Sequence, residues 1–376
     1  MESLNARCFY IQVLISTIAT FLLVASARVN HHIVDRDGYP SWLSTSDRIV
    51  VSQLQSGGMQ PNAIVANDGS GQYTTVTDGI NSYPTNFQGT YIIYVKAGIY
   101  QEYVTVDQSK HNILLYGDGP TKTIITGNKN KNQGLSMPET ATFTTFAENF
   151  TAKYIKIENT ADATGEQAVA IRVVGDRSAF YNCAFRSHQD TLFVDNGHQF
   201  YRDCEISGTI DFIYGRSSTL IQNSQILVRK PLEGQSNVVV ADGTSAYSRF
   251  TTGIVLQNCS ILPDNEFKPY LHTTKTYLAR PWGQFSTAVF LENYIADFIQ
   301  MDGYLIWSKD QPNIENPYFA EFGNTGPGAN ATARVSWAKG LISKKAASIF
   351  TAEQFIHART WLPATGIPYD HGLKST

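Results

Sequence analysis

The chain has 376 residues, of which 42% are hydrophobic, 12% aromatic and only 16% charged, and it contains 28 glycines. This composition excludes a disordered chain and favours a β-rich folded protein with a large core. The formal net charge of −3 shows no basic excess, so nucleic acid is not an expected partner.

The first 27 residues have the pattern of a secretory signal peptide. A largely apolar run from Phe9 to Val24 follows Arg7, and Ala25-Ser26-Ala27 is a small-residue cleavage site. The alternative is a membrane anchor, but the run is shorter than the roughly 20 apolar residues of a membrane span. We therefore expect a secreted, extracellular protein that has no membrane contact after the signal is removed.

Residues 28–61 are predicted to form an extended leader, because they are polar and are interrupted by glycine and proline. The segment is too short for a second domain.

Secretion also makes three Asn-X-Ser/Thr sequons candidate glycosylation sites. They begin at Asn149, Asn258 and Asn330.

The folded domain is predicted to cover residues 62–376. It opens with a strand at Ala63–Ala66, and a helix from Tyr73 to Tyr83 follows, which Pro84 ends. After that helix, short strands interrupted by Gly, Asn and Asp succeed one another. The next helical pattern appears only at Thr351–Arg359.

Short segments recur through the domain at a period near 20 residues. Each has a small or apolar residue, a variable residue and an apolar residue, at 155–157, 183–185, 204–206, 224–226 and 259–261. Single strands that cannot bury a face alone, repeated at such a period, are typical of a solenoid. We predict an all-β, right-handed parallel β-helix with a few short helices at its ends. A β-sandwich stays the alternative on periodicity alone, because its strands can show similar spacing.

Two aspartates in apolar surroundings, Asp190 and Asp211, are 21 residues apart, and Cys183 and Cys204 repeat that spacing. Equivalent positions on stacked coils lie about 4.7–4.9 Å apart. The spacing therefore predicts that Asp190 lies over Asp211. It also brings Cys183 and Cys204 within the Cα separation of a disulfide, roughly 4.4–6.8 Å. Cys259 is then expected to be a free buried thiol.

The same step extends the polar positions backwards, because Gln167 precedes Gln189 by 22 residues. Gln167, the Gln189-Asp190 pair and Asp211 should then form a ladder on one face. A purely structural ladder that satisfies its own hydrogen bonds is the alternative. Stacked carboxylates repel each other, however, and a structural ladder would more naturally use Asn.

Six motifs, in this order along the chain, resemble those of the pectin methylesterases, particularly the plant enzymes. They are Gly98–Glu102, Gln167–Arg172, Gly175–Cys183, Gln189–Leu192, Gly208–Gly215 and Leu278–Trp282. The resemblance runs from about Ala63 to the C-terminus. It implies a right-handed β-helix that hydrolyses methyl esters of galacturonate in pectin, in the cell wall, with no metal or organic cofactor. It further implies pectin as partner, a proteinaceous inhibitor as a candidate partner, and a monomer.

Carried over to matching positions, the resemblance implies that Asp211 is the nucleophile. It implies that Asp190 protonates the leaving methanol and then activates water, while Gln189 stabilises the oxyanion. The positions matching substrate-binding residues are Gln167, Arg280 and Trp282. Elementary chemistry agrees, because two close carboxyls cannot easily both ionise, and one paired to a cation such as Arg280 stays anionic.

Four positions depart from the family pattern, and none of them removes a catalytic group. They are Met137, Arg216, Asp242 and Ala279.

Two other functions stay open. A pectin-acting glycosidase could use paired acids on this fold, although polygalacturonase motifs are missing from the sequence. A non-catalytic polysaccharide-binding β-helix would keep Trp282 but has little reason to keep both acids and both glutamines.

Overall fold

The structure is a computed structural model that describes residues 60–246 and 252–374. The predicted signal peptide, residues 1–27, and nearly all of the predicted leader, residues 28–61, lie outside the described residues. None of the helices within the described ranges has the length and apolarity of a membrane span.

Short strands dominate the described chain, and they pair in parallel within three sheets. We number them β1 to β26 along the chain. The first sheet contains, in spatial order, β1 (Ala63–Val65), β2 (Tyr91–Val95), β5 (Ile113–Gly117), β8 (Thr151–Lys153), β11 (Ser178–Tyr181), β14 (His198–Arg202), β17 (Ser218–Gln222), β20 (Gly253–Gln257), β23 (Thr287–Leu291), β25 (Tyr318–Phe322) and β26 (Gly340–Leu341).

The other two sheets are shorter and also follow chain order in space. The second sheet contains β4 (Val104–Val106), β7 (Phe143–Thr145), β10 (Ile171–Val173), β13 (Leu192–Val194), β16 (Ile213–Gly215), β19 (Asn237–Asp242) and β22 (Thr276–Pro281). The third sheet contains β3 (Gly98–Gln101), β6 (Thr123–Gly127), β9 (Lys156–Asn159), β12 (Ala184–Arg186), β15 (Glu205–Gly208), β18 (Gln225–Val228), β21 (Ser260–Pro263) and β24 (Tyr294–Ile295).

Each coil passes through the first, third and second sheets in turn, so neighbouring strands in a sheet come from successive coils. Ala184 pairs with Glu205, and Leu192 pairs with Ile213, which confirms the 21-residue step read from the sequence. Parallel pairing throughout these sheets contradicts the β-sandwich, which is built from antiparallel strands. The parallel β-helix predicted from the sequence is confirmed.

The turns between the first and third sheets explain why Asn or Asp precedes several of the repeated segments. Asn182, Asp203, Asn223 and Asn258 all have left-handed backbones there, with φ between 51° and 55°. Asn and Asp tolerate this conformation better than other non-glycine residues, because their short side chains hydrogen-bond locally. One such residue per coil lets a two-residue turn bend the chain from one sheet into the next.

The core fills the space enclosed by the three sheets with columns of stacked apolar side chains. Phe185, Ile206, Ile226 and Ile261 form one such column, in register and fully buried. Aromatic side chains stack in the same way elsewhere in the core. No single strand could bury these side chains alone, so the coils stabilise one another.

The helices are short and sit mainly towards the two ends of the described chain. They are α1 (Val76–Asn81), α2 (Lys344–Ser348), α3 (Ala352–Phe355) and α4 (Leu362–Thr365). Single turns of 3₁₀ helix occur at Lys131–Gln133, Met137–Thr140, Ala163–Gly165, Lys268–Tyr270, Pro327–Ala329 and Ala358–Thr360.

Both predicted helical segments are shorter than the sequence indicated. Helix α1 begins only after Thr75, whose side chain accepts a hydrogen bond from the Asp78 amide at 3.0 Å. In the predicted segment Thr351–Arg359, α3 ends early because His357 takes a left-handed backbone with φ of 51°. That residue separates α3 from the 3₁₀ turn that follows.

The structure contradicts the predicted disulfide between Cys183 and Cys204. The two cysteines occupy equivalent positions on neighbouring coils, as the register requires, but both thiols are free and buried. Each sulfur instead lies near the carbonyl oxygen two residues earlier, at 3.5 Å for Cys183 and 3.3 Å for Cys204. The Cys204 thiol also interacts directly with the Cys183 side chain, so the two sulfurs are neighbours without being bonded. Cys259 is free and buried, as predicted.

Candidate active site

The two aspartates singled out from the sequence lie in the connections from the third sheet to the second. Each stands two residues before a strand of the second sheet, and these strands pair Leu192 with Ile213, so Asp190 lies over Asp211. Both have left-handed backbones, with φ of 65° and 51°. Aspartate tolerates this conformation better than most non-glycine residues, as it does at the turns between the first and third sheets. Only 7% of Asp190 and 5% of Asp211 is exposed.

Arg280 reaches Asp211 from a strand two coils further along. It lies on β22, in register with Ala241 and Tyr214 on the two strands between. Its Nε donates a hydrogen bond to Asp211 Oδ1 at 2.8 Å, and its terminal nitrogen contacts Asp211 Oδ2. The sequence predicted this pairing. A two-point guanidinium–carboxylate contact fixes the direction of the carboxylate as well as stabilising its charge.

The surroundings separate the two acids by pKa. Burial raises the pKa of Asp190 well above its usual value, and the charge of Asp211 raises it further. Burial also raises the pKa of Asp211, but the Arg280 guanidinium opposes this shift by its charge and its hydrogen bonds. Asp211 therefore ionises first, and Asp190 keeps its proton to higher pH.

Gln167 and Gln189 complete the predicted ladder, because the two residues pair in a parallel bridge. The side chain of Gln189 hydrogen-bonds Asp190. The Oε1 atom of Gln167 is buried and has no hydrogen-bond partner among the described residues. With Arg280, both glutamines line an open cleft of about 490 Å³. The cleft therefore exposes amide groups beside the acidic pair.

An aromatic cluster borders this site, consisting of Phe193, Tyr214, Trp282 and Trp307. Phe193 and Tyr214 stack with ring centroids 4.6 Å apart. Trp282 lies 6.1 Å from Tyr214 and 6.4 Å from Trp307, and both tryptophans are half-buried. The guanidinium of Arg280 lies 4.3 Å from the Trp307 ring centroid, so the cluster directly adjoins the acidic pair.

Three members of this cluster were missed by the sequence analysis. Phe193 and Tyr214 are 21 residues apart, the same step as the acids, and that signal could have found them. Trp307 belongs to none of the recognised motifs. Only the path of the chain after β24 brings it over Arg280.

The four departures from the family pattern fall in different surroundings. Met137 lies on the aromatic cluster, where its sulfur accepts a hydrogen bond from the Tyr214 hydroxyl at 2.7 Å. Arg216 lies over Trp282 at 5.2 Å. Asp242 is fully buried at the end of β19, and Ala279 is fully buried in β22. Ala279 thus fills core space, whereas Met137 and Arg216 contact the site.

His188, the neighbour of the ladder, takes no part in the acidic pair. Its Nδ1 lies 3.1 Å from the carbonyl oxygen of Ala161, and burial lowers its pKa. In the described part of the chain, no group of three or more His, Cys, Asp or Glu side chains converges as metal ligands would.

The sequons differ in exposure. Asn330 is exposed, and its side-chain oxygen accepts a hydrogen bond from the Thr332 hydroxyl at 2.8 Å. The amides of Asn149 and Asn258 are half-buried and donate to Asn112 and Asn223. Glycosylation stays a prediction, and this geometry favours Asn330.

The fold and the site together define a class of protein, a parallel β-helix with a buried, arginine-paired couple of carboxyls beside an aromatic cluster. Residues 62–359 match the family model described as Pectinesterase, and the chain belongs to that family.

Similar proteins come from the same family. Pectinesterase 4 of Arabidopsis thaliana is 42% identical over 353 residues, which cover 90% of this chain and 60% of the relative. Probable pectinesterase/pectinesterase inhibitor 13 of the same plant is 42% identical over 362 residues, covering 96% of this chain and 58% of the relative. The chain thus spans about three-fifths of the length of these relatives.

Solved structures show the same fold. The pectin methylesterase from carrot has a TM-score of 0.82 at 39% identity, covering 84% of this chain and 99% of that chain. The pectin methylesterase from Aspergillus niger has a TM-score of 0.67 at 23% identity, which bears on the fold alone.

Proposed function

We propose that this protein hydrolyses the methyl esters of galacturonate residues in pectin, releasing methanol and leaving free carboxylates. One observation carries the proposal above all. A buried carboxylate held by Arg280 lies beneath a second carboxyl whose pKa is raised, and the Gln189 side chain hydrogen-bonds that second carboxyl. Membership of the pectinesterase family and the likeness to the carrot enzyme support the same activity.

The first half of the reaction removes methanol. The carboxylate of Asp211 attacks the ester carbonyl carbon and forms a tetrahedral intermediate. The amide of Gln189 donates a hydrogen bond to the oxyanion, with Gln167 on the same side. The C–O bond to the methoxy group then breaks as Asp190 transfers its proton to the leaving oxygen. Methanol departs, and an acyl-enzyme anhydride at Asp211 remains.

The second half regenerates the enzyme. Asp190, now a carboxylate, accepts a proton from a water molecule as that water attacks the acyl carbon. Collapse of this second intermediate breaks the bond to Asp211, which leaves as the Arg280-paired carboxylate. The product is galacturonate with a free carboxyl group, and Asp190 is protonated again for the next cycle.

The cleft supplies the binding surface for the polymer. The half-buried rings of Trp282 and Trp307 offer flat apolar surface to sugar rings. Arg280 fixes the direction of the Asp211 carboxylate beside them. The sequence and the relatives support the wider setting that we propose. We propose a secreted monomer in the cell wall, with pectin as substrate. A relative named pectinesterase/pectinesterase inhibitor supports a proteinaceous inhibitor as a candidate partner.

The deciding experiment incubates the purified protein with highly methylated pectin. Released methanol, new carboxylate and polymer length are measured together, with Asp211→Asn as the inactive control. Equal amounts of methanol and carboxylate at constant polymer length are expected. Shortening of the chains would instead favour the glycosidase, and tight binding without any product would favour the non-catalytic polysaccharide-binding protein.

A further inference from the structure

We propose that Arg216 is a specificity-determining residue that binds a free carboxylate of the pectin chain beside the ester being cleaved. The protein would then prefer partly de-esterified pectin to fully methylated pectin. This inference rests on the proposed function and names the substrate feature that the same site selects.

The position of Arg216 places a cation at the edge of the binding surface. It directly follows β16, two residues after Tyr214 and five after Asp211. Its guanidinium lies 5.2 Å from the Trp282 ring centroid, and 54% of its side chain is exposed. A polymer lying on Trp282 would therefore pass within reach of Arg216.

The neighbouring charges leave Arg216 without full compensation. Asp195 is the nearest paired acid, and its Oδ2 already accepts hydrogen bonds from Arg172 at 2.9 and 2.6 Å. The Nε of Arg216 lies 3.8 Å from Asp195 Oδ1, which is too far for a hydrogen bond. Arg172 and Arg216 thus share the carboxylate of Asp195. The uncompensated positive charge lies on Arg216, which is the more exposed of the two arginines.

The other acid facing Arg216 is Asp242, at the end of β19. Its Oδ1 accepts hydrogen bonds from the amides of Thr244 and Thr287, at 3.1 and 2.8 Å, rather than from Arg216. Burial also keeps this carboxyl protonated to higher pH than usual. Among the described residues, therefore, no hydrogen-bonded carboxylate neutralises the guanidinium of Arg216.

A free galacturonate carboxylate would neutralise the positive charge of Arg216, and its methyl ester would not. A carboxylate brings a negative charge and two oxygens that match the planar guanidinium. The ester carries no charge and is a weaker acceptor. Because the arginine is exposed, the gain is that of a surface ion pair, about two- to five-fold in affinity, and salt should weaken it.

The test compares two pectins of equal length, one almost fully methylated and one half de-esterified at random. For wild type and Arg216→Gln, kcat/KM is measured from methanol release at low and high salt. We expect the ratio of kcat/KM on the half de-esterified pectin to that on the methylated pectin to fall about two- to five-fold in the variant. Arg216→Lys should retain part of this ratio, because it keeps the charge but loses the planar fork.

Arg359→Gln is the matched control. Arg359 is 80% exposed and pairs with Glu353 in the C-terminal segment, so its removal should leave the ratio at the wild-type value. An unchanged ratio in Arg216→Gln, or an equal loss on both pectins, would overturn the inference.

A binding measurement separates this inference from the proposed function. Affinity for fully de-esterified polygalacturonate requires no turnover and should fall in Arg216→Gln. If wild type releases no methanol from either pectin, the proposed hydrolysis is wrong, while the affinity change still decides whether Arg216 binds a carboxylate.

Discussion

At the scale of single residues, the site shows how two identical side chains acquire different chemistry. Asp190 and Asp211 share their backbone conformation, their burial and their place on successive coils. They differ in partners, because Arg280 pairs with Asp211 and the Gln189 amide with Asp190. A cation lowers the cost of ionisation for one acid only, and this difference supports the proposal that Asp211 is the nucleophile and Asp190 the proton donor.

The nucleophile assignment predicts the behaviour of Asp211→Asn. The amide has the shape of the carboxylate but cannot form the acyl intermediate, so methanol release should fall below about 1% of wild type. Pectin binding, measured by affinity electrophoresis, should persist. Because Arg280 loses its charged partner in this variant, circular dichroism is used to check that the variant still folds. More than a few per cent of wild-type turnover would contradict the assignment.

The role of Arg280 in ionising Asp211 predicts a shift in the pH profile. Arg280 opposes the rise in the pKa of Asp211 that burial causes. Removing it in Arg280→Gln should therefore raise that pKa, and the acid limb of kcat/KM should move to higher pH. The pH profile of methanol release measures this, with Arg359→Gln as control. An acid limb at its wild-type position would show that a different group titrates there.

At the scale of elements, the ends of the second-sheet strands position the loop that carries Trp282. Asp242 ends β19, and its backbone carbonyl accepts a hydrogen bond from Gly283 at 3.0 Å. Its side-chain Oδ1 accepts a hydrogen bond from the backbone amide of Thr287, which lies beyond the same loop, at 2.8 Å. The Oδ2 atom of Asp242 is buried and has no hydrogen-bond partner among the described residues. A buried acid thus holds the loop at the expense of one unsatisfied oxygen.

The burial of Asp242 predicts how stability depends on pH. Its pKa rises from 3.8 to about 7, so the folded protein keeps a proton that the unfolded chain releases. The contribution of this carboxyl group to the free energy of unfolding is complete below about pH 4. It is lost as the pH rises through about 7. Asp242→Asn keeps the accepting oxygen and does not titrate, so the variant should gain stability relative to wild type across this window.

Thermal unfolding at pH 4 and pH 8 measures this effect. The difference in Tm between Asp242→Asn and wild type should be more positive at pH 8. Asp310→Asn, which alters an exposed carboxyl, is the control and should show no such trend. A difference that is the same at both pH values would mean that Asp242 does not carry the predicted proton.

At the scale of the whole molecule, neighbouring coils stabilise one another. A buried ion pair joins β25 to the chain that follows it. Arg334 donates to Glu321 at 2.7 Å, with side chains only 3% and 1% exposed. Arg334 also donates to the carbonyl of Gly328 at 2.9 Å, and the Tyr304 hydroxyl donates to Glu321 at 3.1 Å. The Oε2 atom of Glu321 accepts hydrogen bonds from Arg334 and Asn324, each at 3.3 Å, so both carboxylate oxygens have donors.

Breaking this pair should destabilise the protein far more than removing a surface ion pair. Arg334→Ala leaves a buried carboxylate without its cation, and the free energy of unfolding should fall by about 3–5 kcal/mol. Denaturant unfolding measures it. The double variant with Glu321→Ala should lose less than the sum of the two single variants. A loss below about 1 kcal/mol for Arg334→Ala would show that the pair behaves as an exposed one.

The parts of the structure that repeat along the chain were predictable from the sequence. Each coil is built from local signals, a strand, an Asn or Asp turn and an inward apolar residue, and a step of 21 residues between Asp190 and Asp211 places them on adjacent coils. Once a solenoid is inferred, distance in sequence converts directly into distance in space. The acidic pair followed from that conversion.

The directions of side chains and the contacts between distant segments were decided only by the tertiary structure. The coil step placed Cys183 over Cys204 correctly, but it carried no information on whether the neighbouring sulfurs are bonded, and both thiols are free. Likewise, Trp307 reaches Arg280, and Asp242 becomes buried, only through non-repeating loops. A period specifies which residues are neighbours, whereas rotamers, burial and pKa depend on everything packed around them.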